Sequence, residues 1–127
     1  MIRLGYPVIG VTDIPRAVAF WTSALDLVAT PERESPTWRT LEHPDGSQVL
    51  ALMLSESPAQ EHPRIHLDLL TETEAEQQAE VERLIELGAS EVAWDLYPQN
   101  PDFVVLADPD GNVFCVVDLS RAPSGPA

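Results

Sequence analysis

The chain writes one turn twice. HPDGS occupies residues 43–47 and DPDGN residues 108–112, an offset of 65 (108 − 43) in a sequence of 127. Pro followed by Asp-Gly between apolar runs is hairpin punctuation, because Asp and Gly tolerate the backbone angles of a tight reversal. Leu41 and Leu106 coincide at the same offset, and Trp38 falls against Phe103. A duplicated module too small to cover its own sheet has to bury one sheet face against its copy, which restricts the fold more than composition does.

The same order of elements surrounds each turn. Residues 2–11, IRLGYPVIGV, are apolar and strand-like, and end at Thr12-Asp13. Asp13 suits an N-cap, and Pro15 is tolerated in the first helical turn. Ile14, Ala17, Val18, Trp21 and Leu25 then share one helical face, which makes Trp21 a core residue. Between Leu27 and Leu54 the pieces LVATPE, TWRTLEH and SQVLALML read as strands. SESPAQEHP, residues 55–63, is polar with two prolines and reads as a linker. His62 and His43 each stand beside a proline there and in the first turn, and are expected in solvent.

The pattern restarts with the strand RIHLDLL and the amphipathic stretch TETEAEQQAEVERLIELGA. Thr73 and Glu76 have capping-box spacing, and Gly88 sits where a helix stops. EVAWDLY, DFVVLAD and NVFCVVD follow as strands, and RAPSGPA as a loose tail. The predicted fold class is α+β: two βαβββ modules forming cupped mixed β-sheets around a shared cavity, with the helices outside. One domain is expected over 1–127, with module one at 2–54, a linker at 55–63, module two at 64–118 and a tail at 119–127.

Composition narrows the function classes. A single cysteine, Cys115, permits no internal disulfide, and no apolar run approaches the roughly 20 residues of a membrane span. MIRLGYPVIGVTD lacks the apolar core and small-residue cleavage site of a secretory signal, so a cytoplasmic protein is expected. Net charge is −14 and all seven basic residues are arginine. Such a surface repels phosphate backbones and anionic lipid, which argues against nucleic-acid and membrane partners; it serves solubility and attracts cations.

The βαβββ duplication, the opening V-T-D-x-x-R-A-x-x-F-W-x-x-x-L-D-L and the ending A-D-P-D-G-N-x-F resemble the vicinal oxygen chelate superfamily, its small glyoxalase-like domains most of all. The resemblance covers residues 2–118. That group contains glyoxalase I, extradiol dioxygenases, fosfomycin-inactivating enzymes and bleomycin-resistance proteins, so it implies a fold without fixing an activity. Its metal enzymes hold a divalent cation with His or Glu from the first and fourth strands of each module, leaving a position open for substrate oxygens. Carried over, those positions are Tyr6, His66 and Cys115, with Leu50 as the counterpart of Cys115 at the 65-residue offset, or Val49 or Ala51 in a neighbouring register. Only His66 is a usual ligand. The resemblance therefore implies a degenerate site with no metal and no cofactor, and Cys115 as a small buried hydrophobe.

Strand alternation puts Tyr6, Val8, Trp38 and Leu50 of module one in the expected ligand pocket. Module two contributes His66, Asp68, Phe103 and Cys115, with Trp94 and Tyr97 as a lip. His66 and Asp68, two residues apart on one strand, are the candidate catalytic pair, since a carboxylate can orient an imidazole for proton transfer. Two functions of different kind follow. One is metal-independent binding of a small aromatic or cationic molecule; the alternative is a lyase, isomerase or dioxygenase that uses His66 directly or borrows metal ligands from a second chain. A small molecule is the expected partner and a homodimer the expected assembly, the cup closing within one chain or by exchange of modules.

Overall fold

The computed structural model describes residues 1–32 and 35–124; the last three residues of the expected tail lie outside them. Ten elements run in order: β1 (Val8–Val11), α1 (Ile14–Leu25), β2 (Val28–Ala29), β3 (Trp38–Glu42), β4 (Gln48–Leu54), β5 (Asp68–Thr71), α2 (Glu74–Leu87), β6 (Ser90–Glu91), β7 (Phe103–Ala107) and β8 (Val113–Asp118). They fall into two units, Met1–Pro58 and Ala59–Ala127, so the expected linker divides at Pro58.

Each unit carries one four-stranded mixed sheet and one helix. The strand orders are β1-β4-β3-β2 and β5-β8-β7-β6; β1 runs parallel to β4 and β5 to β8, while the remaining pairs are antiparallel. This is the α+β duplication the repeated turn predicts. Among the described residues, no helix is long and apolar enough to cross a membrane.

Local chemistry sets the helix ends where the sequence marks them. Asp13 accepts the Arg16 backbone N–H at 3.0 Å, and Thr73 accepts that of Glu76 at 3.1 Å. The first helix stops at Asp26 with φ 53, and the second at Gly88 with φ 124, conformations that leave the helical path. Trp21, Phe20 and Ala17 form the buried stripe of α1, with Trp21 only 1% exposed. The second helix is poorer in apolar contacts. Its buried Gln77 instead donates to the Val116 and Asp102 carbonyls at 2.9 and 3.1 Å, satisfying both beneath the helix.

The strands are shorter than their apolar letters suggest. The segment expected at residues 2–11 is a strand only from Val8, since Pro7 has no N–H to give a ladder, and Ile2 and Leu4 stand exposed. Of EVAWDLY only Glu91 belongs to a strand, the two-residue β6 that Ser90 begins. Beyond it the Trp94 N–H turns back to the Val92 carbonyl at 2.8 Å, and the Tyr97 hydroxyl takes the Val105 N–H that a longer strand would have used.

One register differs from the sequence count. Leu41 pairs with Leu50 but Glu42 with Gln48, so Val49 is a bulge with no opposite residue. Module two has no such shift: Leu106 pairs with Phe114 and Ala107 with Val113. Module one therefore spends one residue more in its hairpin, and beyond the bulge the offset between copies falls to 64 (115 − 51). Ala51, opposite Val8 and Thr40, occupies the position that Cys115 holds opposite Asp68 and Val105. Leu50, expected at that position in the pocket, instead lies on the opposite face with the fully buried Leu41 and Leu52.

Candidate functional site

Backbone pairing builds the site. The Cys115 N–H donates to the Leu67 carbonyl at 2.9 Å, and Asp68 stands opposite Cys115 in the parallel ladder. Side chains at His66, Asp68 and Cys115 consequently share one sheet face. Their ligand atoms lie within 4.8 Å of one another. His66 Nε2 is 3.1 Å from Asp68 Oδ1. The pair faces outward, with side-chain exposures of 30% and 53%, while Cys115 beneath it is 2% exposed.

Alternation continues this face into an apolar floor. Phe103, Val105, Cys115 and Val117 form one buried cluster, with Val92, Trp94 and Val113 packed against it. No residue of α2 belongs to the cluster, so the helix takes the other face of the sheet. The loop after β6 wraps the cluster instead. Tyr97 stacks on Phe103 with ring centroids 5.3 Å apart, and burial raises its phenol pKa above the usual value. Trp94 is flanked by His62, with centroids 4.9 Å apart, and the Trp94 indole N–H is buried without a hydrogen-bond partner.

Electrostatics separate the three donors. Burial pushes the Cys115 thiol up to about 12, and the nearby Asp68 and Asp102 carboxylates push in the same direction. At neutral pH the corner thus presents a protonated thiol beneath an imidazole–carboxylate pair. His62, expected in solvent, bonds Asp95 at 2.7 Å; this bond raises the His62 pKa and lowers that of Asp95.

In module two the structure brings together His66, Asp68, Cys115, Phe103 and Trp94 of the expected pocket. In module one, Val8 and Trp38 share the Ala51 face, and Trp38 donates its indole N–H to Thr40 at 3.0 Å. Tyr6 precedes β1. Counting ligands by inherited positions missed Asp68 as a third donor beside His66 and Cys115. Its place on the shared face was legible; its pairing with Cys115 across a parallel ladder was not.

A family model described as a glyoxalase-like domain matches residues 7–117. Solved structures share the architecture along nearly the whole chain. A protein of Agrobacterium tumefaciens, solved by NMR, is 16% identical with a TM-score of 0.73, covering 93% of this chain and 98% of its own. A glyoxalase/bleomycin resistance protein/dioxygenase family enzyme from Burkholderia phytofirmans is 20% identical with a TM-score of 0.67, covering 91% and 97%. The fosfomycin resistance protein FosX from Listeria monocytogenes is 19% identical with a TM-score of 0.68, covering 92% and 91%. At such identities the likeness is one of fold. No curated protein sequence matches the chain.

Proposed function

The chain belongs to the glyoxalase-like domain family, and from that premise we propose that it binds a small cationic or aromatic molecule at the His66–Asp68–Cys115 corner of module two, without a metal ion. The observation that carries this function is the accessible His66–Asp68 pair above an apolar, aromatic floor, and burial, which pushes the Cys115 thiol up to about 12, keeps that floor uncharged. A few polar anchors on apolar walls are the usual make-up of a small-molecule site, and a lone carboxylate beside aromatic rings favours a cation. The net charge of −14 raises the local concentration of such ligands further. Resistance proteins among the structural relatives make drug-like molecules the first to try.

Tryptophan fluorescence titrated with ethidium and bleomycin, and with the anionic fosfomycin as contrast, tests the proposal. Saturable binding of a cation with a Kd in the range of about 1–100 μM is expected, with no response to fosfomycin. Asp68→Asn should weaken that binding about tenfold, because the charge-assisted contact is lost while the shape is kept. A flat response to both cationic probes at millimolar concentration overturns the proposal.

The three donors within 4.8 Å favour a second function. One imidazole, one thiolate and one carboxylate with a fourth position open fit a zinc-like ion, which would supply a Lewis acid there for a lyase or isomerase. Holding it requires Cys115 to ionise. From a pKa of about 12 that costs about 7 kcal/mol at neutral pH, so only a thiophilic ion offsets it. Adding Co²⁺ separates the two functions. Metal-free binding predicts no thiolate-to-cobalt charge-transfer band; a band that disappears in Cys115→Ser establishes the metal centre instead.

A further inference from the structure

The polar stretch Ala59 to Pro63 belongs to module two and has no regular secondary structure. It crosses the module between two points. At one end a Cβ added to Gly111 would meet the Ala59 Cβ at 3.4 Å, an ordinary contact distance, so the chain lies directly over the DPDGN turn. At the other, the His62 ring sits 4.9 Å from that of Trp94, inclined at 49°, and its Nε2 is 2.7 Å from Asp95 Oδ1. Among the described residues this is the one hydrogen bond that any residue from Ala59 to Pro63 makes.

What lies beneath is poorly satisfied. Trp94 packs on the cluster that contains Cys115, yet its indole N–H is buried and unpaired. A buried donor without a partner is a standing penalty that hydration or a ligand oxygen removes.

We propose that residues 59–63 form a strap that His62 closes over Trp94, and that loss of the His62–Asp95 pair opens it, uncovering an aromatic ring with an available indole donor beside the Cys115 cluster. The charged groups facing His62 are Asp95 and Glu61, both of which favour its protonated form, against desolvation, which opposes it. A raised folded-state pKa means that the contribution of the pair to closure is complete below the ordinary histidine value of 6.5 and is lost as pH rises through the raised one. At the acid end, closure is lost as pH falls through the lowered Asp95 value. The open strap suits a ring with an oxygen acceptor at its edge, which takes the indole N–H and the face the imidazole leaves. This use of the strap rests on the binding function proposed above; the opening itself does not.

The test therefore contains no ligand. In Trp38→Phe protein the remaining tryptophans are Trp94 and Trp21, the latter 1% exposed and shielded from quencher. Acrylamide quenching followed from pH 5.5 to 8.5 should rise about twofold as the strap opens. His62→Gln, added to that background, should quench at the high level at every pH, and Asp95→Asn should remove the pH dependence. Neither side chain is buried, and circular dichroism verifies that the variants fold. Quenching that is flat with pH in the parent, or a His62→Gln protein that quenches like the parent at pH 6, overturns the strap. If the strap opens as described and no cationic probe binds, the strap stands and the binding function fails.

Discussion

Asp108→Ala is expected to lower the free energy of unfolding by about 3 kcal/mol, while Asp45→Ala in the matching turn leaves it nearly unchanged. Both turns use the same backbone. The fourth residue of each, Gly46 at φ 91 and Gly111 at φ 86, adopts a conformation that side chains disfavour, and its N–H closes on the first residue at 2.9 Å. Their carboxylates work differently. Asp45 is exposed and accepts from the Ser47 N–H and hydroxyl, bonds that water replaces when the carboxylate is removed. Asp108 is 3% exposed. It accepts from the backbone N–H groups of Asp110 and Asn112 at 2.9 and 2.8 Å, and from the Asn112 side chain at 3.2 Å. Its removal strands donors that water reaches poorly, at about 1–3 kcal/mol each. Urea unfolding of the two variants beside the parent measures the contrast. Equal losses would mean that burial does not distinguish the copies.

The contrast also locates what a duplicated sequence conveys and what it hides. Turn letters, helix caps and the Trp21 stripe recur at fixed spacing because each answers to a local requirement, and they sufficed to lay out both modules. The bulge left no letter. Val49 lies in a run of Val, Leu and Ala, any of which fits either face, so only the ladder reveals that Ala51 rather than Leu50 stands where Cys115 does. Strand ends were overrun for a related reason: Ile2 and Leu4 are as apolar as core residues, and it is the missing N–H of Pro7 that ends pairing. The His62–Asp95 bond joins residues 33 apart through a segment with no periodicity, and nothing in either neighbourhood announces it. Asp68 was half legible, visible as a partner for His66 and hidden as a neighbour of the thiol.

That thiol supplies the other large effect. With its pKa near 12, Cys115 is expected to react with iodoacetamide at pH 8 about 1,000-fold more slowly than an unburied thiol of ordinary pKa, because alkylation proceeds through the thiolate. Stability should carry the same signature. The folded chain holds the thiol proton more tightly than the unfolded one, so each rise in pH above the ordinary value of 9.0 favours unfolding until about 12 is reached. At pH 10.5 the loss is about 2 kcal/mol relative to pH 7. Tyr97, whose pKa is also raised by burial, adds to the alkaline loss and is common to parent and variant. Cys115→Ala isolates the thiol: a constant offset from the cavity at every pH, with about 2 kcal/mol less alkaline loss than the parent. Urea midpoints at pH 7 and 10.5 for the two proteins give that difference directly. A thiol that alkylates quickly at pH 8, with parent and variant parallel in alkali, would mean that the corner already holds a thiolate. The donor set would then be charged and ready for a cation, and the metal-dependent function would displace the metal-free one.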